Sequence, residues 1–179
     1  MTEHLEMHRP YLYILAEAGI GHVLRGKLDA DDLVQETYRR AIAGHHQVRE
    51  PHNEMVVRAW LKVILGHVLA DERKKYRAAK RNLDMEVSLG ADIDQSAAGL
   101  DHWLASQVTP PCGAAERNEE IERLAKAIKK LPVEMREVVV SRYIGKATVQ
   151  EIALQSARTT ASVAGLLRRG MARLREDLR

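Results

Sequence analysis

Two helices joined by a short turn are predicted near the end of the chain, between residues 148 and 175. Thr148 and Glu151 have the T-x-x-E spacing of a capping box, which predicts that a helix begins there. Thr159 provides a second start signal. The helix that follows repeats apolar residues at helical spacing, namely Val163, Leu166, Leu167, Met171, Leu174 and Leu178. This pattern predicts a helix-turn-helix, which needs the rest of the chain to complete its core.

The composition favours helices and a polyanionic partner. The chain has 179 residues, with no Phe and only two Trp, so Leu, Val, Ile and Ala must fill its core. Its net charge is +3. Residues 1–83 carry 14 Lys and Arg against 11 Asp and Glu, residues 84–113 carry none against 5, and residues 114–179 carry 14 against 9. Two basic segments on either side of an acidic one predict that the basic segments bind a polyanion.

The sequence indicates a soluble protein of the cytoplasm. The single cysteine, Cys112, cannot form an internal disulfide, which fits a reducing compartment. The charged N-terminus lacks the apolar core of a signal peptide. No apolar run approaches the ~20 residues of a membrane span. Regulation is expected to come from outside the chain, because no sensory extension is visible.

Two helices are predicted before residue 45. Residues 4–24 have an imperfect apolar stripe, which Gly19 and Gly21 weaken near its end. Residues 29–44 form the clearest helix of the first half, with Asp29 as its N-cap and Gly44 at its end. Its apolar stripe predicts a core-facing side and a polar outward side.

The longest predicted helix covers residues 54–81. A polar loop, residues 44–53, precedes it, and Asn53 caps it. Two apolar stripes make the helix apolar nearly all round, which predicts burial between neighbours. Trp60 lies on one stripe and is interpreted as core rather than as a platform for a base. Six of its last nine residues, 73–81, are Lys or Arg, so a cationic rod is expected there.

The fold class predicted is all-α, with two small helical domains joined by an acidic linker. The domains are residues 1–83 and 116–179, and residues 84–115 are expected to be a flexible linker because they are rich in Gly and Pro. Trp103 in this linker is either a local staple or a contact with a partner. In the second domain a helix is predicted over 116–130, and Pro132 is expected at the first position of the next.

Enzymatic chemistry is not expected. The chain has no nucleophile–base set and no Gly-rich phosphate loop. His45, His46 and His52 crowd one loop and Cys112 is available, but the spacings of metal ligands are missing. We therefore expect no cofactor and no metal, and interpret these histidines as solvated or as phosphate contacts when protonated.

Three motifs in this order resemble a known family. They are DADDLVQETYRRA, WLKVILGHVLADERKK, and LPVEMREVVVSRYIGKATVQEIA followed by the helix-turn-helix. Together they are similar to bacterial RNA polymerase sigma factors of the extracytoplasmic-function (ECF) type, over nearly the whole chain. The turn at Ser156-Ala157 and the segment Ala164-Gly165-Leu166 depart from the family's usual residues. The resemblance implies a non-enzymatic transcription initiation factor that directs core polymerase to specific promoters.

The resemblance implies that the outward face of the second helix docks on the clamp helices of the largest polymerase subunit. The residues on that face are Asp29, Asp32, Gln35, Glu36 and Arg39. The polymerase flap and an anti-sigma protein are further candidate partners, and the free protein is expected to be a monomer. The acidic linker would occupy channels that later hold RNA.

The resemblance also implies two DNA-binding sites. The loop and long helix would capture and help melt the minus-ten promoter strand through Arg49, His52, Asn53, Arg58, Lys62, Arg73, Lys74, Lys75 and Arg77. The helix-turn-helix would read the minus-thirty-five element. Its candidate residues are Arg158, Thr159, Thr160, Ser162, Arg168 and Arg169. The alternative function is a stand-alone helix-turn-helix regulator, which would need a dimer interface that the sequence does not show.

Overall fold

The structure is a computed structural model that describes residues 5–44, 53–79, 89–106 and 113–178. The helices in these ranges are α1 (Arg9–Leu24), α2 (Ala30–Ala43), α3 (Glu54–Ala79), α4 (Leu89–Ala105), α5 (Ala114–Lys130), α6 (Val133–Tyr143), α7 (Val149–Gln155) and α8 (Thr160–Asp177). The described residues contain no β-strand, and an isolated bridge joins Arg25 and Leu28. The predicted all-helical class is confirmed.

Helix starts follow the sequence signals closely. The Asp29 side chain accepts a hydrogen bond from a backbone N–H of α2 at 2.7 Å, and the Asn53 side chain does the same for α3 at 3.1 Å. At α7 the Glu151 N–H donates to the Thr148 hydroxyl at 3.2 Å, and the Thr148 N–H donates to the Glu151 carboxylate at 2.7 Å. That backbone donor lowers the pKa of Glu151. The capping box predicted from the sequence is confirmed.

Pro132 lies one position earlier in its helix than predicted. It has φ −51° and ψ 142°, so its backbone is extended after the Cα atom and it serves as the N-cap of α6. Its carbonyl accepts hydrogen bonds from the N–H groups of Met135 and Arg136, both at 2.9 Å, and the helix therefore begins at Val133. The prediction of Pro132 at the first helical position was wrong by one residue.

Part of the predicted flexible linker is a packed helix. In α4, Ile93, Ala97, Leu100 and Leu104 recur at helical spacing and are all buried. The helix contacts α1 and α3 of the first half and α5 and α6 of the second half. The expectation of a flexible linker is therefore corrected for residues 89–106. Burial of four apolar side chains on one face stabilises the helix more than its two glycines destabilise it.

The long helix α3 buries one of its two apolar stripes fully and the other only in part. Leu61, Leu65, Val68 and Leu69 are at most 3% exposed. In the other stripe Trp60 and Ile64 are partly buried against the core while Val63 is 51% exposed, so the predicted burial on all sides was wrong for the side that carries Val63. The described neighbours of this helix are α1, α2 and α4. The surface that these neighbours do not cover is open to solvent or to a partner.

Helix α1 lies at the centre of the structure. All seven residues from Tyr11 to Glu17 are buried, although a helix packed on one side would bury about half of them. The helix contacts α2 and α3 of the first half, and also α5 and α6 of the second half. Gly21, with φ 57°, interrupts its last turn. The two halves of the chain therefore share α1 as a common packing surface.

Candidate nucleic-acid interface

The helix-turn-helix has the predicted order and an unusual turn residue. Helices α7 and α8 pack together through Ile152 and Ala153 on the first helix and a buried stripe that includes Val163 on the second. Between them Ala157 has φ 50°, in the left-handed region that favours glycine. The Arg158 N–H donates to the Ala153 carbonyl at 2.9 Å and closes the turn. The turn forms with alanine at the cost of local backbone strain.

Most candidate minus-thirty-five residues are exposed on α8. Thr160, Ser162, Arg168 and Arg169 are exposed on α8. Thr159 is exposed too, but its hydroxyl accepts a hydrogen bond from the Ser162 N–H at 3.1 Å and so caps the helix. These residues flank the outward side of a helix that a helix-turn-helix places in a DNA groove.

Arg158 is bound to another helix and is not fully exposed, whereas Leu154 is exposed beside the candidate residues. The Arg158 guanidinium donates to the Glu134 carboxylate on α6 at 3.0 Å and is half-buried. Leu154 is 84% exposed at the end of α7, a position that the sequence analysis did not assign. A Leu that breaks the buried pattern of its own short helix is the signal that would have identified it.

The outward face of α2 is exposed as predicted. Asp32, Gln35 and Arg39 are exposed, and Asp29 is exposed while it caps the helix. Glu36 is less available to a protein partner, because its carboxylate accepts hydrogen bonds from Arg39 and from the Arg40 Nε, the latter at 2.7 Å. The bond from Arg40 is the main cause of the lowered pKa of Glu36.

Arg40 links the candidate docking helix to α3. Its guanidinium, which binds Glu36 through Nε, also donates through Nη1 to the Asp71 carboxylate at 2.7 Å. Both acids raise the pKa of Arg40, with Glu36 the larger cause. The outward face of α2 is therefore held at a fixed orientation to α3 by a polar bridge as well as by the core.

The candidate minus-ten residues do not form one open cationic surface. Arg49 and His52 lie outside the described residues, as do His45, His46 and Cys112. Asn53 caps α3. The Arg58 guanidinium lies 5.0 Å from the centre of the Tyr11 ring and donates to Asn118 of α5. Burial lowers the pKa of Arg58.

Lys62 and the basic end of α3 also have intramolecular partners. Lys62 pairs with Asp94 of α4, and Arg73 donates to the Gly19 carbonyl of α1 at 2.7 Å. Lys75 pairs with Glu72 at 2.5 Å. Lys74 is exposed. The side chain of Arg77 is not among those that the structure describes.

A buried carboxylate at the contact between the two halves was missed by the sequence analysis. Glu17 of α1 is 4% exposed and accepts hydrogen bonds from Arg25 at 2.8 Å, Tyr13 at 2.9 Å and Arg136 of α6 at 3.0 Å. Burial alone would raise the pKa of Glu17. The hydrogen bonds from the two guanidinium groups and the phenol outweigh burial, so the pKa is lowered overall. Burial also raises the pKa of Tyr13.

A cleft of about 630 Å³ lies where α4, α6 and α8 end. Its apolar wall includes Met171 and Leu174, and Arg142 and Arg175 lie at its edge. Trp103 packs edge-on against Tyr143 with ring centroids 5.3 Å apart. Trp103 therefore packs within the chain, against a helix of the second half, and contact with a partner stays a prediction.

Two kinds of feature are absent from the described ranges. No group of three or more His, Cys, Asp or Glu side chains is close enough there to hold a metal ion. None of the helices in those ranges combines the length and apolar character that crossing a bilayer requires.

The fold and its surfaces define a class of protein. An all-helical fold that contains a capped helix-turn-helix, with exposed arginines on the second helix, is an architecture typical of DNA-binding proteins of transcription. No family model matches the chain. Comparison with curated proteins is more informative, because the similarity extends over nearly the whole chain.

Three curated relatives carry the name of one family. The chain is 26% identical over 178 residues to the ECF RNA polymerase sigma factor SigD of Mycobacterium tuberculosis and to that of Mycobacterium bovis, which covers 99% of this chain and 76% of each relative. It is 26% identical over 168 residues to the ECF RNA polymerase sigma factor SigX of Bacillus subtilis, which covers 88% of this chain and 78% of the relative. The chain is thus similar, over nearly its whole length, to RNA polymerase sigma factors of the ECF type, and this similarity supports a role in transcription initiation.

Proposed function

We propose that this chain binds core RNA polymerase in the bacterial cytoplasm and directs it to promoters that carry two recognition elements. The observation that supports this most is the agreement of a whole-chain similarity to ECF sigma factors with a helix-turn-helix whose Arg168 and Arg169 are exposed. The polymerase and the promoter are the partners, and the role is not enzymatic. An anti-sigma protein that binds the free monomer remains a further proposal.

The exposed face of α2 is the proposed docking surface for the polymerase clamp helices. Asp32, Gln35 and Arg39 are exposed side by side on a helix that the core and the Arg40–Asp71 bridge hold in place. A rigid helix face with charges of both signs suits a specific protein partner, because electrostatic complementarity selects the partner and the orientation.

The second proposed surface binds the minus-ten strand along α3. It combines Arg58 and Lys62 with the outward apolar face of the same helix, where Met55 is 82% and Val63 51% exposed. Cations can follow a phosphate backbone, and an apolar surface can accept unstacked bases. At the basic end Lys74 would add one phosphate contact, and Lys74→Glu should reduce the salt slope of DNA binding by about one unit.

The third proposed surface reads the minus-thirty-five element through α8. The exposed residues Thr160, Ser162, Arg168 and Arg169 lie on the helix that a helix-turn-helix places in the major groove. Leu154 is close to the start of this helix in the chain and could contact a thymine methyl group. The domain boundaries at residues 83 and 116 stay predictions that accompany this proposal.

Run-off transcription tests the proposed function. Purified core polymerase is incubated with a pool of genomic promoter fragments, with and without this protein. Transcripts that depend on the protein and share two spaced upstream motifs are expected. Tight and specific DNA binding by the protein alone, with no dependent transcripts, would instead favour a stand-alone regulator.

A further inference from the structure

The cleft at the ends of α4, α6 and α8 is a preformed space between helices. Helix α4 contacts α6, and α6 packs along α8, whereas α4 and α8 are not packed along each other. The space that remains has a volume of about 630 Å³, within the range of about 300–1,000 Å³ that is usual for small-molecule sites. Its walls are held in place, because Gln95 donates to the Gly145 carbonyl at 3.1 Å and Trp103 packs against Tyr143.

One wall of the cleft is an aliphatic row on α8. Met171, Leu174 and Leu178 line it at spacings of three and four residues, which place them on the same side of the helix. The row is about 10 Å long, since each helical residue advances about 1.5 Å. Leu174 is buried, while Met171 and Leu178 are only partly buried. The wall therefore presents a narrow apolar strip with the dimensions of a linear hydrocarbon chain.

The charged side chains that line the cleft are basic. Arg142, Lys146 and Arg175 are exposed and carry positive charge at neutral pH. Among the described residues no Asp or Glu lines the cleft. Arg142 donates to the Ala147 carbonyl at 3.2 Å, and neither Lys146 nor Arg175 has a carboxylate partner within the part of the chain that the structure describes. The cleft thus combines an apolar wall with two cations that are available to an anion.

The aromatic rings of the cleft favour an aliphatic ligand over an aromatic one. Trp103 and Tyr143 contact each other at an interplanar angle of 75°, with ring centroids 5.3 Å apart. This edge-on pair does not provide two parallel faces between which a planar ring would stack. A ligand made mostly of phosphate groups would leave the aliphatic row without a partner. The lining therefore suits a ligand with a flexible apolar body and one anionic end.

We propose that this cleft binds a free acyl carboxylate. Its hydrocarbon chain lies along the aliphatic row of α8, where it leaves water, and its carboxylate accepts charge-assisted hydrogen bonds from Lys146 and Arg175. Arg168 and Arg169, which are proposed to read DNA, are not among the residues that line the cleft. The site is therefore separate from the proposed DNA-binding residues of α8, and binding is tested on the chain alone.

Tryptophan fluorescence tests the position of the ligand. The chain has two tryptophans, so Trp60→Phe leaves Trp103, which lines the cleft, as the only one. Decanoate brominated at its first or last chain carbon is the probe, because bromine quenches a tryptophan that it contacts. At least one of the two probes should quench Trp103 in a saturable manner, and unbrominated decanoate should reverse the effect.

The second tryptophan provides the matched control for this titration. Trp103→Phe leaves Trp60 of α3, which does not line the cleft and should be quenched little by either probe. Equal quenching of both tryptophans would show binding without a defined site and would overturn the inference. Undiminished emission of Trp103 with both probes would overturn it as well.

Chain length separates the cleft from nonspecific association with apolar surface. From hexanoate to decanoate the affinity should rise about fourfold for each CH₂ group that is buried. The rise should level off in longer acids, because the aliphatic row ends. Octanoate should also bind more tightly than octanol, which has a body of the same length and no charge. A continued rise up to tetradecanoate, or tighter binding of octanol, would contradict the proposal.

A pair of double variants tests the two cations. Lys146→Gln with Arg175→Gln should weaken decanoate binding by about tenfold or more, because two charged donors are lost. Glutamine keeps the Cβ atom, so the backbone at position 146, with φ 60°, is under no additional strain. Lys126→Gln with Arg173→Gln removes the same charge at exposed positions that do not line the cleft, and it should bind decanoate like the wild type.

The results separate this inference from the proposed function. Equal decanoate binding by both double variants, with circular dichroism showing that both are folded, would overturn the assigned carboxylate site. If the cleft variant does not fold, the chain-length series on the wild type decides. Tighter binding of naphthoate than of decanoate would overturn the acyl class. Saturable decanoate binding without any protein-dependent transcript would support the site and overturn the proposed function, whereas transcripts without decanoate binding would do the reverse.

Discussion

A Cβ atom added to Gly99 of α4 would lie 2.0 Å from the carbonyl oxygen of Ile144, at the end of α6. The two backbones touch at this point, and Gln95 adds a hydrogen bond to the Gly145 carbonyl at 3.1 Å. Glycine is therefore required inside α4 by the approach of another helix, although it weakens the helix itself. This contact fixes α4 against the second half of the chain.

Gly99→Ala should destabilise the protein by about 1–3 kcal/mol, because the added methyl group collides with backbone atoms that cannot rotate away. The measurement is denaturant unfolding followed by circular dichroism. Gly66→Ala in α3 is the matched control, since its Cβ would meet the Ile93 side chain at an ordinary 3.6 Å. The control should be neutral or more stable by up to about 1 kcal/mol. Equal effects of the two changes would contradict the close contact.

Ala157→Gly should stabilise the helix-turn-helix. Alanine at φ 50° carries strain of about 1–2 kcal/mol, while glycine adds about 0.4–1 kcal/mol of entropy to the unfolded chain. The net gain is a few tenths to about 1 kcal/mol, measured as a shift in the midpoint of thermal unfolding. Ala172→Gly on the exposed side of α8 is the same chemical change and should cost about 1 kcal/mol. A loss of stability at both positions would show that the turn is not strained.

The buried carboxylate of Glu17 should make stability depend on acidic pH. Its pKa in the folded state lies below the unfolded value of about 4.3, so the unfolded state binds the proton more tightly. The stabilisation is present above the unfolded pKa and is lost as the pH falls through the lower, folded pKa. The free energy of unfolding should therefore fall in this acidic window, and Glu17→Gln should flatten that fall.

At neutral pH Glu17→Gln should lower the free energy of unfolding by about 1–3 kcal/mol, because two guanidinium groups lose a charged acceptor. Glu122→Gln is the control, since Glu122 pairs with Lys126 at 2.7 Å on the exposed surface of α5. It should change stability by less than about 1 kcal/mol and leave the pH dependence intact. Parallel pH profiles for Glu17→Gln and the wild type would exclude Glu17 as the titrating group.

Arg168→Ala and Arg169→Ala should weaken binding of the polymerase complex to promoter DNA, by up to ~3 kcal/mol for a side chain that contacts a base. Filter binding at fixed salt with the assembled complex is the measurement. Arg123→Ala on α5, which removes the same charge outside the proposed surfaces, should have little effect. If promoter binding is unaltered in both α8 variants, neither arginine belongs to the interface.

Asp32→Lys should impair assembly with core polymerase while the fold is kept. The side chain is exposed and its contribution to the helix start is only about 0.3–1 kcal/mol, so the main effect is expected at the docking face. Glu36→Lys is a less selective test, because it would also break the bond to Arg40 that leads to Asp71. The measurement is co-elution with core polymerase in size-exclusion chromatography, with Glu119→Lys as the control that should assemble normally. Normal assembly of the Asp32 variant would contradict the docking proposal.

Features with local causes were predictable from the sequence. The starts of α2, α7 and α8 depend on Asp29, Thr148 and Thr159 and on residues within three positions of each. The buried stripe of α8 follows the helical period in the same way. These signals are contained within one turn of helix, and they led to the fold class and the helix-turn-helix.

Features that depend on distant partners were not predictable. Gly99 reads as a helix breaker until Ile144 is known to lie against it. Arg58 and Lys62 were predicted to bind DNA, but in the structure Arg58 binds Asn118 and Lys62 binds Asp94. These partners are distant in the chain, so no local pattern reveals them. The exposure of Leu154 likewise depends on which side of α7 has a neighbour.

The contact between Glu17 and Arg136 spans 119 positions, and this separation matters while the chain is being made. At about 5–20 residues per second, a ribosome adds Arg136 about 6–24 s after Glu17. Arg25 and Tyr13, which also bind Glu17, are both within eight positions of it. The nascent first half thus already holds two partners for its buried carboxylate before the second half is made.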